Sequence, residues 1–116
     1  MWSCAVCNKE MIKVNQITNT HVKGDKKYIY LLQCPQCGKA ALRIYMDVNV
    51  TGRDETLEYR IDITEDEKKR IKFLMEKCPD AHNEKCRCNA HNEVDRFEME
   101  NSDRRKLVGY SYDLWN

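Results

Sequence analysis

No run of 18 apolar residues occurs in this 116-residue chain, so nothing in it reads as a membrane span. No secretory leader is expected either, since Met1-Trp2-Ser3-Cys4 leads straight into a cysteine motif. Repeats, low-complexity tracts and linkers are absent, so one integrated unit over residues 1–116 is expected. There is little excess charge of either sign. Twenty Lys and Arg stand against 19 Asp and Glu, which excludes a globally basic protein and leaves room only for a local nucleic-acid footprint. Apolar residues are 41% of the chain and charged ones 34%. That core is thin for the length, so bound metal is expected to supply part of the folding free energy.

What the chain has is cysteine. Cys4, Cys7, Cys34, Cys37, Cys78, Cys86 and Cys88 fall in CxxC and CxC spacings. Without a secretion signal these read as metal thiolates in a reducing compartment, the cytoplasm, and not as disulfides. Cys4-Ala-Val-Cys7 and Cys34-Pro-Gln-Cys37-Gly38 are separated by 26 residues. Two residues between cysteines make a tight turn that points both sulfurs and several backbone N–H groups inward, where they stabilise thiolate charge. Four such thiolates can hold one tetrahedral Zn²⁺. Gly38 lets the chain leave its turn at positive φ. Asn8 follows the first pair and tolerates the same region.

These two knuckles resemble the zinc-ribbon families over about residues 3–63, with CPxCG at residues 34–38. The resemblance implies a structural zinc held by Cys4, Cys7, Cys34 and Cys37. It implies little about role, because ribbons serve nucleic-acid binding, protein docking and stabilisation alike.

Hydrophobic alternation predicts an antiparallel meander. Ile12 and Val14 suggest a short strand, and Lys23-Gly24-Asp25-Lys26 a turn. Tyr28 to Leu32 reads as the return strand. Leu42, Ile44, Met46, Val48 and Val50 form the clearest strand. Thr51-Gly52-Arg53-Asp54 is a turn, and Leu57, Tyr59, Ile61 and Ile63 a further strand. A helix is expected over 64–78, with Thr64 and Glu67 as a capping box, acids in the first turn and Pro79 as terminator. Ile71, Leu74, Met75 and Cys78 form its apolar stripe, which leaves Phe73 at the edge of the core or free for a partner. Residues 78–93 lack periodicity and read as a loop. In the region 94–116, Phe97 and Met99 hint at a short strand, and Val108, Tyr110, Tyr112 and Leu114 alternate as a last strand joining the sheet. The expected class is α+β: a zinc-ribbon-like β-meander over 1–63, one helix, a metal-pinned loop and a C-terminal strand.

The loop carries Cys78, His82, Cys86, Cys88 and His91. Three cysteines and one histidine would complete a second tetrahedral Zn²⁺ site and leave no free thiol. Cys88-Asn-Ala-His91 has knuckle spacing, which favours His91 as fourth ligand; His82 stays open as the alternative and must bend back past Pro79. The competing reading makes Cys78 a core residue and Cys86 and Cys88 surface thiols. His21 has no nearby cysteine and reads as a surface histidine.

Nothing points to catalysis. His82-Asn-Glu84 and His91-Asn-Glu93 match the His-x-Glu of zinc deaminases, but both CxxC pairs lie upstream of them instead of downstream. An HNH-type nuclease places its histidine between the pairs, where only His21 stands. A thioredoxin-like motif needs a strand before CxxC and a helix at it. The chain is therefore read as a non-enzymatic binding module without a small-molecule substrate. Residues 9–43 are net +5. Lys23, Lys26, Lys27 and Tyr28 at the expected hairpin tip, with Tyr30 beyond, point to nucleic acid as partner. With metal in both sites the total charge falls near −2, and that mixed-sign surface points instead to protein docking, as in a bacterial or phage-type inhibitor, immunity or adaptor protein.

Overall fold

The computed structural model describes residues 2–20, 26–50, 53–79, 81, 83, 86 and 88–114. Five strands form one antiparallel sheet in chain order: β1 (Ile12–Thr20), β2 (Lys26–Gln33), β3 (Ala40–Val50), β4 (Arg53–Ile63) and β5 (Lys106–Leu114). Helix α1 (Glu65–Lys77) follows β4, and α2 (Asn89–Glu100) leads through a 3₁₀ turn at Ser102–Arg104 into β5. The α+β meander and its late-joining strand therefore stand as expected from the alternation.

Register decides what each face of the sheet becomes, because partners across an antiparallel ladder share a face. Ile17, Ile29, Ile44 and Tyr59 line up across four strands, and Leu31, Leu42 and Ile61 across three. Onto this apolar row the helices lay Ile71, Leu74 and Met75 from α1 and Ala90 and Val94 from α2. The Thr64 side chain accepts from the Glu67 N–H while Glu67 reaches back to the Thr64 N–H, so the capping box forms. Arg104 adds a fork onto Glu67 at 2.9 and 3.1 Å, tying the 3₁₀ turn to the start of α1.

Three expectations need correction. The described residues hold two α-helices where one was predicted: Phe97 and Met99 lie in α2, not in a strand. Ala90, Val94 and Phe97 repeat at helical spacing, but the helix begins on Cys88, outside the usual Ser, Thr, Asp and Asn caps, so its start carried no signal. The loop is shorter for the same reason, and His91 sits in the first turn of α2. Arg53 and Asp54 open β4 instead of closing a turn; Thr51 and Gly52, like Lys23-Gly24-Asp25, lie outside the described residues.

Candidate metal centres and the open sheet face

Both N-terminal cysteine pairs sit in the same backbone knuckle. Cys4 N–H donates to Lys9 O at 2.8 Å and Asn8 N–H to Cys4 O at 3.0 Å; Cys34 N–H donates to Lys39 O at 2.8 Å and Gly38 N–H to Cys34 O at 3.1 Å. The residue after each pair has positive φ, 58° at Asn8 and 80° at Gly38. Asn and Gly are the residues that take this region at least cost. The isolated bridge between Ser3 and Glu10 folds the first knuckle back on itself, and the β2–β3 connection supplies the second.

The ligand atoms of Cys4, Cys7, Cys34 and Cys37 all lie within 4.8 Å of one another, with Cys4 and Cys37 sulfurs 3.5 Å apart. Sulfurs 2.3 Å from a tetrahedral ion stand about 3.8 Å apart, so the cluster has the right size for one metal. Its electrostatics ask for a cation. The N–H groups of Cys7 and Val6 draw Cys4 down to about 6, against the effect of burial. The N–H of Cys37 likewise leads in lowering Cys34. Cys7 is instead pushed up to about 12, first by its hydrogen bond with Cys37, then by burial and the neighbouring sulfur charge. Two thiolates are easily made, and a third is resisted by its neighbours until positive charge enters.

The second cluster is assembled by helix ends. Cys78 is the C-cap of α1 and Cys88 the N-cap of α2, where its sulfur accepts from the His91 N–H at 3.3 Å. Cys86 lies between them, its N–H on Asn83 O. The Cys78 sulfur is 3.8 Å from Cys86, 3.5 Å from Cys88 and 3.4 Å from His91 Nδ1. All four ligand atoms again lie within 4.8 Å of each other. Burial opposes ionisation of Cys88, but the His91 N–H, the other two sulfurs and the Ala90 N–H outweigh it and lower its pKa.

His91 is oriented from behind. Its Nε2 lies 2.6 Å from the carbonyl oxygen of Thr18 in β1. A carbonyl can only accept, so Nε2 carries the proton and Nδ1 turns a bare lone pair to the three sulfurs. That bond to the Thr18 carbonyl had no counterpart in the sequence pattern. His82 lies outside the described residues, as does His21. The geometry leads to a comparison: His91→Ala is expected to weaken metal retention in the second cluster by more than ~10-fold, and His82→Ala to leave it unchanged. Release of metal to a colorimetric chelator measures both, and faster release from His82→Ala would reverse the assignment.

Away from the helices, the opposite face of the sheet is built from Tyr28 and Tyr30 on β2, Arg43 and Tyr45 on β3, and Glu58 and Arg60 on β4, in register, with Lys13 on β1 paired to Leu32 beside a slip in the ladder. Trp2 closes one end, over the small cluster of Cys4, Met11, Leu32, Cys34 and Ala41. Guanidinium and ring alternate across this face. Arg60 lies 5.5 Å from the Trp2 ring; Arg43 lies 5.8 Å from Trp2 and 5.5 Å from Tyr30. Lys13 Nζ is 5.7 Å from Tyr30. Tyr28 stacks on Tyr30 at 6.3 Å, with 10° between planes, and meets Tyr45 edge-on at 5.9 Å. Glu58 pairs with Arg43, and Asp62 with Arg60 at 2.9 Å.

The predicted hairpin-tip contact does not survive intact. Lys27 points to the helix side, 1% exposed, with its Nζ 2.8 Å from Glu98 and 2.5 Å from Asp95. A cation so enclosed cannot reach a phosphate. Lys26 and Tyr28 remain on the open side, and Lys23 lies outside the described residues. Arg43, Tyr45, Arg60 and Trp2 were not singled out from sequence as contact residues. The available signal was the alternation of Arg43 and Tyr45 with Leu42 and Ile44, which marks the polar side of the clearest strand.

No helix among the described residues is long and apolar enough to cross a membrane. Set beside protein-family models, curated proteins and solved structures, the chain matches none of them.

Proposed function

We propose that the protein is a non-enzymatic, zinc-pinned binding module whose open sheet face takes single-stranded nucleic acid. Both donor sets, four sulfurs and three sulfurs with one imidazole nitrogen, are those of closed structural zinc sites, and neither leaves a place for a reacting water. The zinc-ribbon likeness of residues 3–63 and the organisation of the chain as one unit belong to this same reading. Zinc in each site would supply charge neutralisation and cross-linking; the knuckle N–H groups, the two helix caps and Thr18 hold the ligands in place.

The observation that carries the nucleic-acid reading is the ladder of Trp2, Arg43, Tyr30 and Tyr28 across a sheet face that neither described helix covers. Flat rings and guanidinium planes stack on unpaired bases, and every base has a face to offer. Lys13 at the rim suits a phosphate. Pairing of Arg43 and Arg60 with Glu58 and Asp62 keeps the face near neutral. Stacking is therefore the main contribution, and the salt dependence is shallow.

Anisotropy of a labelled single-stranded oligonucleotide at about 50 mM salt tests this. Tyr30→Ala and Arg43→Ala should each weaken binding by about 5- to 100-fold, a stacking contribution of about 1–3 kcal/mol, with metal content unchanged. Duplex of the same sequence should bind more weakly than single strand. No binding of the wild type to either form would overturn the reading in favour of protein docking on the same Tyr- and Arg-rich face.

A further inference from the structure

The two edges of the sheet are treated differently. On the β1 edge, Thr18 N–H donates to Ala81 O at 2.9 Å and Thr18 O accepts from His91 Nε2 at 2.6 Å. The loop and helix that carry the second cysteine cluster thus occupy the outward backbone groups of Thr18, in the second half of that edge, which an incoming strand would use. The β5 edge has no such cover among the described residues. Nine residues long, it pairs with β4 on one side only. Three of the seven large apolar side chains exposed among the described residues lie within four positions of it: Leu107 at 61%, Val108 at 48% and Tyr110 at 49%. Proteins protect edge strands with short length, proline, charge or cover. Apart from a bulge at Val108, where the β4 ladder slips by one residue, β5 has none of these along its middle.

We propose that β5 is a homodimer interface, in which two copies pair their β5 strands antiparallel and continue the sheet from five strands to ten. The occupant is a second copy because the strand complements itself. Lys106 stands at its start and Asp113 near its end. Antiparallel pairing about a two-fold axis lays the cationic end of each copy along the anionic end of the other, twice. A two-fold normal to the sheet keeps residues of one face on one face. The aromatic face of each copy therefore lies on the same side of the extended sheet, beside its symmetry mate. The second metal centre stays at the far edge, where it covers the backbone of Thr18 on β1 and opposes further growth into a fibre.

Sedimentation of the metal-loaded wild type between about 1 and 200 μM should show a monomer–dimer equilibrium, weak as suits a small interface. Leu107→Lys with Val108→Lys, both at exposed positions, should raise the dissociation constant at least ~10-fold by placing four like charges at the seam, with metal content and circular dichroism unchanged. Amide exchange of the wild type gives a reading that needs no variant: protection from Leu107 to Asp113 should rise with concentration, and β1 should not change. A wild type that stays monomeric throughout would overturn the proposal. So would a dimer whose β5 amides exchange at the same rate at every concentration, or one that the two lysines leave intact. These outcomes are independent of whether nucleic acid binds.

Discussion

Cys78→Ser will cost the protein its fold, and with it the larger part of its stability. Cys78 caps α1, belongs to the main apolar cluster and has its sulfur within 3.8 Å of Cys86, Cys88 and His91 Nδ1. Losing that ligand removes the metal that ties the end of α1 to the start of α2, and it frees His91 from its lock on Thr18. Structural zinc contributes on the order of 10 kcal/mol at neutral pH, which equals or exceeds the whole stability of an ordinary domain. Two zinc ions per chain are expected by elemental analysis of the wild type, and at most one in the variant. Loss of helical circular dichroism and fast proteolysis around residues 78–91 should accompany it. Cys37→Ser should do the same at the other end, releasing the β2–β3 knuckle and the cluster under Trp2 while the second centre keeps its metal. A Cys78→Ser protein with full metal content and unchanged melting would remove the case for the second centre.

How much of this was legible in the sequence depends on whether the signal was local. The knuckles were, because a CxxC turn and the positive φ of Asn8 and Gly38 are set by a few adjacent residues. The four-strand meander was, because Leu42–Val50 and Leu57–Ile63 alternate without a break. The capping box at Thr64 was too. Helix α2 was hidden because its first turn is also a turn of candidate metal ligands. A thiol does the capping, His91 and Glu98 are buried polar residues on its inner face, and the ligand spacing drew attention from the helical spacing. The face of a lysine is a matter of register and of what packs above it. Lys26 and Lys27 are adjacent, so strand geometry sends them to opposite sides. Nothing within the hairpin says that acids from a helix some 70 residues later wait on one of those sides. The same non-local pairing sets Arg43 beside Trp2, and the Thr18 carbonyl behind His91.

The ion cluster under α2 leads to the second large effect: Glu98→Ala should destabilise the protein by about 3–5 kcal/mol with both metal centres still loaded. Glu98 has no exposed surface. Its carboxylate accepts from Lys27 at 2.8 Å and from Arg105 at 2.6 and 2.7 Å, joining β2, α2 and the approach to β5. Asp95, which Asn19 also contacts at 3.2 Å, is the second partner of Lys27 but is partly exposed. Removing Glu98 leaves Lys27 enclosed with half its counter-charge and Arg105 with no carboxylate to fork onto. An uncompensated buried charge costs far more than a satisfied pair gains. Lys27→Met should also be costly, though less so, since Glu98 keeps its fork from Arg105 and Asp95 its contact with Asn19. The double variant Lys27→Met with Glu98→Leu should recover most of the loss, because apolar side chains of similar volume then fill the fully buried positions, and the charges left, Arg105 and Asp95, are the two that reach solvent. Urea unfolding of the four proteins of this cycle, followed by tryptophan fluorescence at constant zinc, gives the coupling directly. Additive losses, with the double variant the least stable of all, would mean that the two side chains act independently. A Glu98→Ala protein within about 0.5 kcal/mol of wild type would show that the cluster is solvated in solution.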